Sequence, residues 1–436
     1  MSNGLHRRQA KNLVIRNAHV VDPFHKIDDV LELYIKNGKL QKWGKKLEVP
    51  ADADVFDAKG LALFPGFIDL QVHFRDPGFE NKETIESGVQ AAIAGGFAAC
   101  VTMPNTKPTC DNAQVVKYQI DRGALSDFNI FPAGALTQGI AGQKISEMSE
   151  MKNAGAVAVT DGLQWLQDSG VARRAYEYAT TYDLVVMSQA EDARLSAAGV
   201  MNESVVSTRL GLRGRPGAAE DIATARDLEL ARLTGCKLHL MNVSTKRAVE
   251  YIREAKQEGI RVTAQVTPHH LMLTENDFVT YDTNFKISPP LRGNDDQRAL
   301  LEGLKDGTID AIGSDHSPHA AEEKDMDVEV APDGVVGFES YFGAVMTVLF
   351  HGLKMPLTEI VRKMSLRPSE IINKPKLGRL GEGELANFVL VDLNHEWVFE
   401  PKHIHSKSKN SCFFGRKFKG RVAHNFVNGY HYDLSK

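Results

Sequence analysis

Hydrophobic positions follow two rhythms along this chain. Near both ends come short strand-like runs closed by turn signals. Asn12-Leu-Val-Ile-Arg and Leu31-Glu-Leu-Tyr-Ile-Lys lead to Asn37-Gly38, and Phe388-Val-Leu-Val-Asp and Gly420-Arg-Val-Ala-His-Asn-Phe-Val lead to Asn428-Gly429. Asn-Gly after such a run marks a hairpin, because both residues tolerate a left-handed backbone. In the middle, apolar runs that read as buried strands alternate with longer helical stretches. The strands are Ala156-Val-Ala-Val-Thr, Asp183-Leu-Val-Val-Met, Lys237-Leu-His-Leu-Met, Ile260-Arg-Val-Thr-Ala and Ile309-Asp-Ala-Ile-Gly; 218–234 and 245–258 are examples of the helices. Strand–helix alternation over this length predicts a (β/α)8 TIM-type barrel. The expected division is a barrel over 65–375 and a small β-sandwich domain built from 1–64 plus 376–436. An open doubly wound sheet is disfavoured, since no G-x-G-x-x-G or Walker sequence follows a strand.

Composition narrows the picture only a little. The chain has 436 residues, 42% hydrophobic and 25% charged, which is ordinary for a globular protein of one large and one smaller domain. A net charge of -4 gives no case for nucleic acid or an anionic membrane as partner. Cys100, Cys110, Cys236 and Cys412 form no C-x-x-C pair, which suits a reducing, cytoplasmic setting. The start lacks a signal-peptide core, and no apolar run approaches the ~20 residues of a membrane span.

The chemistry concentrates where barrel strands end. In Phe64-Pro-Gly-Phe-Ile-Asp-Leu-Gln-Val-His-Phe-Arg-Asp-Pro-Gly78, period-two spacing puts Asp69, Gln71, His73 and Arg75 on one strand face and Ile68, Leu70, Val72 and Phe74 on the other. Two imidazoles two residues apart would chelate a metal ion, but the first position here is Gln71.

Several motifs in one order resemble the dihydroorotase family of amidohydrolases. They are Pro65-Gly-Phe-Ile-Asp-Leu with His73-Phe-Arg-Asp-Pro-Gly78, Met103-Pro-Asn-Thr106, Val243-Ser-Thr245, Thr267-Pro-His-His270, Pro289-Pro-Leu-Arg292 and Ser314-Asp-His-Ser-Pro-His319. The resemblance implies the same barrel with a flanking β domain, and a site in which one or two zinc ions activate water against a cyclic amide. It also implies six ligand positions. Here they fall on Gln71, His73, Gly162, Gln189, Asn242 and Asp315, so four of the six lack a metal-binding group. Asp161, one residue from Gly162, could act as a donor only after a register shift. Structural zinc is worth roughly 10–16 kcal/mol, or about 3 kcal/mol per donor, so losses on this scale abolish tight binding.

The substrate-reading positions survive better. The resemblance assigns Arg75 and Asn105 to the substrate carboxylate, His319 to a further contact, and the position of Ser288 to a contact the family makes through asparagine. Three functions follow as expectations. The first is a non-catalytic pseudo-dihydroorotase of pyrimidine biosynthesis that partners aspartate carbamoyltransferase. Thr160-Asp-Gly-Leu-Gln-Trp and Tyr176-Glu-Tyr-Ala-Thr-Thr-Tyr-Asp-Leu look similar to that subgroup, no cofactor is expected, and a homo-oligomer is. The second is an active dihydroorotase with zinc on a reduced site of His73, Asp315 and Asp161, Asp315 being the catalytic group. The third binds dihydroorotate or carbamoyl-aspartate through Arg75 and Asn105 without turnover. Plainer roles stand beside these: Asp315 paired with His316 or His319, Thr267-Pro-His-His270 as support, the acidic run 320–330 as a solvated loop over the mouth, and the two arginines of Leu212-Arg-Gly-Arg-Pro-Gly217 as surface.

Overall fold

A computed structural model describes residues 5–278 and 280–435. Eight parallel strands form a nearly closed barrel: Phe67–Val72, Phe97–Thr102, Asn129–Gly134, Ala158–Val159, Val185–Ser188, Lys237–Leu240, Val262–Val266 and Ala311–Ile312. Each pairs with the next in chain order. The seam between last and first is bridged just past the strand ends, where the His73 N–H donates to the His316 carbonyl at 2.9 Å. Closure therefore brings residues 71–75 beside 314–319, although about 240 positions separate them in the chain.

Both chain ends supply a nine-stranded sheet. Asn12–Asp22 sits near its centre, beside Ile27–Lys36 and Ala62–Pro65, and Phe388–Val398, Lys417–Val427 and Tyr430–Asp433 continue from Ala62–Pro65. Leu13, Ile15, Leu33, Ile35, Leu63, Phe388, Leu390 and Phe426 form the core of this part. The two Asn-Gly turns adopt the left-handed backbone their sequence calls for, with φ of 51° and 75° at Asn37-Gly38 and 48° and 83° at Asn428-Gly429. They also abut, and a Cβ on Gly429 would sit 2.5 Å from the Gly38 Cα, so no side chain fits.

Several motifs turn out to be helix starts. Thr245 is the N-cap of Lys246–Gln257 and accepts from the Ala248 N–H; Thr267 caps Pro268–Met272 in the same way, accepting from His270 N. These caps begin helices directly beyond barrel strands. They fix where each strand stops and which residues lie at the mouth.

Candidate functional site

The first strand delivers its polar residues to the barrel axis by breaking its own alternation. Ile68 and Leu70 cluster with Ala99, Val101, Val157, Val185 and Met187, whereas Val72 and Phe74 join the outer core against the helices. Pairing with the second strand slips between Asp69 and Val72, and Asp69 accepts from the Gln71 N–H at 3.0 Å. Gln71 thus reaches inward one residue after an inward leucine. The expected single polar face does not form. Asp69 lies instead at the seam, where its second oxygen accepts from Ser314 N at 3.0 Å. Burial raises its pKa to about 6.

Around the axis, amides occupy the positions at the strand ends. Gln71 Nε2 donates to Gln189 Oε1 and to Asp315 Oδ1, both at 3.1 Å. Its Oε1 accepts from Gln265 Nε2 at 3.0 Å, and that same nitrogen donates to Asn242 Oδ1 at 3.1 Å. Gln265 Oε1 pairs with His239 Nε2 at 3.3 Å, and His239 Nδ1 with the Thr263 hydroxyl at 2.9 Å. Gln189 Nε2 continues outward to the Ser288 carbonyl at 3.1 Å and its hydroxyl at 3.3 Å. Donors meet acceptors at nearly every step, as a buried polar network requires. Asn242 and Asp315 reach into it from left-handed backbone, with φ of 50° at each.

Two groups interrupt this order. His73 Nδ1 donates to Asn105 Oδ1 at 2.9 Å, which leaves Nε2 an acceptor without a partner, 3.9 Å from Asp315 Oδ1. The Asn242 amide nitrogen likewise lacks an aligned partner. Burial holds the Asp315 carboxyl well above the usual range; Asn242 and Arg75 oppose that shift and Asp69 adds to it. Burial also pushes His73 down to about 3. Neither His316 nor His319 bonds to Asp315. His316 Nε2 lies 3.4 Å from Glu83, and His319 Nε2 lies 2.9 Å from the Asp333 carbonyl.

A tightly bound divalent metal does not fit this donor set. The amide nitrogens of Gln71 and Gln265 have no lone pair to offer, and the amide oxygens are already hydrogen-bonded. Gly162 supplies no side chain, and both oxygens of Asp161 are taken by Thr137, from its N–H at 2.9 Å and its hydroxyl at 2.6 Å. The shifted-register donor envisaged at Asp161 is therefore spent on the neighbouring loop. Among the described residues, no group of three or more His, Cys, Asp or Glu could hold an ion.

The substrate-reading side chains are gathered but engaged. Arg75 is buried, donating from Nε to the Pro318 carbonyl at 3.2 Å and from one terminal nitrogen to Ser317 Oγ at 2.9 Å; that nitrogen lies 3.2 Å from His319 Nε2. Ser288 Oγ is contacted by Arg215, which also pairs with Asp333 at 2.6 Å. A small cavity of about 10 Å³, on the order of one water, lies next to Asp161, Gly162 and Gln189, and a separate cleft of about 640 Å³ is lined by Glu191, Arg215, Lys286 and Ser288. The acidic run is not simply solvated. The buried Lys324 ammonium donates to the Pro332 and Gly334 carbonyls at 2.9 and 3.1 Å, and Val328 enters an apolar cluster with Val206 and Phe278. Thr267-Pro-His-His270 braces the mouth from behind, with His270 Nε2 donating to the Pro289 carbonyl at 3.0 Å.

A family profile described as "Dihydro-orotase-like" matches residues 60–248. The chain is 45% identical over 419 residues to the dihydroorotase of Geobacter metallireducens, covering 96% of this chain and 98% of that protein. This chain belongs to the dihydroorotase family. The dihydroorotase of Acetivibrio thermocellus is similar at 41% identity over 418 residues, with the same coverage. Solved structures share the fold. L-hydantoinase from Arthrobacter aurescens superposes with a TM-score of 0.86 at 24% identity over 96% of this chain and 95% of that one. Dihydropyrimidinase from Brevibacillus agri gives 0.82 at 22% identity, over 98% and 96%. Against this dihydroorotase frame, sequence reasoning missed Gln265 and His239, which sit at the centre of the amide network. The available signal was a polar residue at each inward position of an otherwise apolar strand. It missed also Asp69 as a seam clasp and the Arg215–Asp333 pair.

Proposed function

We propose that this chain is a dihydroorotase homologue of pyrimidine biosynthesis that has exchanged hydrolysis for a structural role beside aspartate carbamoyltransferase. The observation that carries the reading is the use of both Gln71 amide hydrogens on Gln189 and Asp315. At that point a hydrolase needs a lone pair directed at an ion; here an N–H is directed at a carboxyl. Arg75 already donates to the Pro318 carbonyl and to Ser317 Oγ, which supports the same reading over one in which Arg75 and Asn105 capture a free carboxylate. The role beside the transferase rests on the resemblance of 160–165 and 176–184 to the partner subgroup.

Protein purified without chelator should carry no stoichiometric zinc by elemental analysis. It should not turn over dihydroorotate with added zinc or manganese, and it should co-elute with aspartate carbamoyltransferase on size exclusion after co-expression. One tightly bound zinc with turnover would overturn the loss of hydrolysis. A fully active transferase that ignores this chain would overturn the structural role. A second reading has one specific observation in its favour: the unpartnered His73 Nε2 beside Asp315 leaves room for a single weakly held ion. Zinc that binds at high concentration and is lost in His73→Ala would mark that remnant.

A further inference from the structure

We infer that a cavity between the barrel and the terminal sheet, apart from the amide network, binds a small organic ammonium ion with an aromatic body. The cavity measures about 560 Å³. One wall is the helix Phe338–Val345, through Glu339 and Phe342; another is the sheet strands Phe388–Val398 and Lys417–Val427, through Trp397 and Val422. Ala94, at the end of helix Ile85–Ala94, and His403 line it too. Its volume is that of a small-molecule site and far exceeds what one water needs. No residue of the amide network lines it, so the inference stands or falls independently of the proposed function.

Glu339 decides what the cavity takes. Its side chain is buried, the residue being only 9% exposed. One oxygen, Oε1, accepts from His405 N at 2.6 Å and from Ser406 N at 3.0 Å, which ties that loop to the helix. The other, Oε2, is buried with no hydrogen-bond partner among the described residues. A buried acceptor left bare costs free energy, so it calls for a donor. A carboxylate repels anions, and among the described residues no group of three or more His, Cys, Asp or Glu could hold a metal ion. An ammonium fits, because its point charge needs a single oxygen. A guanidinium or amidinium fork needs both, and Oε1 is already used. Phe342 and Trp397 supply aromatic surface for the cation and for an apolar body. The Trp397 ring is fixed in place: Nε1 donates to the Gly420 carbonyl at 3.0 Å, and His403 packs edge-to-face on it at 4.9 Å between ring centroids.

Ligand-observed NMR titration of phenethylamine into the full chain near neutral pH tests this. The amine should bind with a Kd of about 1 mM or tighter. Its neutral isostere, phenylethyl alcohol, and the forked cation benzamidine should each bind at least about tenfold more weakly. Glu339→Gln keeps an oxygen for the His405 and Ser406 N–H groups but turns the bare acceptor into a donor, and should weaken phenethylamine by about tenfold or more. Ala94→Leu narrows the cavity without touching Glu339 and should weaken it as well. Circular dichroism checks that both variants fold; should Glu339→Gln unfold, the loss in Ala94→Leu decides. No binding of phenethylamine at about 10 mM overturns the inference. So does equal binding of the alcohol or of benzamidine, or an unchanged affinity in either folded variant.

Discussion

Gln71 has two amide hydrogens and one carbonyl, and all three are used inside the barrel. The same economy makes Asp315 an informative residue. Its buried carboxyl is raised well above the value of an unfolded aspartate, so between those values the folded state binds a proton the unfolded state does not. The contribution of Asp315 to stability is then greatest below about pH 4 and falls as pH rises through the folded pKa. Asparagine has no such dependence, and its oxygen can still accept from Gln71 Nε2. Asp315→Asn should therefore gain stability relative to the parent between pH 4 and pH 8. The gain grows by about 1.4 kcal/mol per pH unit until the folded carboxyl ionises. Urea unfolding at the two pH values checks it, and a loss at pH 8 would show that an ionised Asp315 is needed. In a working hydrolase the same change would remove the residue that moves the proton.

Strands and helices were legible in the sequence where a single periodicity runs unbroken. The Asn-Gly hairpins, the helix at Gly217–Thr234 and the run of barrel strands all follow from local pattern, because propensity, turn chemistry and burial agree there. The first barrel strand was not legible in detail. Its alternation is overridden by the slip between Asp69 and Val72, where Asp69 clasps one backbone N–H of its own strand and one just beyond the last barrel strand. No local rule reports a clasp between residues 69 and 314. The lost ligands could be read one at a time, but Gln265 entered the site only through closure of the barrel. The clasp has a measurable weight. Asp69→Ala leaves the Gln71 and Ser314 N–H groups buried and unpaired, at about 1–3 kcal/mol each. Neutralising a carboxyl whose pKa is raised to about 6 offsets part of this at pH 7. A net loss of about 2 kcal/mol at pH 7, larger at pH 5, is expected from denaturant titration. An unchanged midpoint at pH 5 would mean the seam closes without Asp69.

At the scale of the whole molecule, burial in the barrel and in the terminal sheet leaves many imidazoles neutral. Burial lowers His73 to about 3, His239, His270 and His431 to about 4, His319 to about 2, and His269 well below its ordinary value. Each takes up a proton near pH 6.5 once unfolded but stays neutral while folded. Their contribution to stability is thus full above about pH 6.5 and drains away as pH falls toward the folded values. Asp69, Asp161, Glu220, Asp221 and Asp315 are raised by burial and act in the opposite direction, so the net uptake is smaller than the six imidazoles alone would give. Each raised carboxyl releases at most one proton on unfolding, and Asp69 does so only below about pH 6, where its folded carboxyl is protonated. At about pH 5, where all six imidazoles are charged once unfolded, they outnumber the five raised carboxyls, so the unfolding free energy should fall as pH falls. Guanidinium titrations in half-unit steps would show it. A flat curve would mean that these histidines are solvated in solution and that the barrel mouth is open, which would return Arg75 to the reach of a ligand.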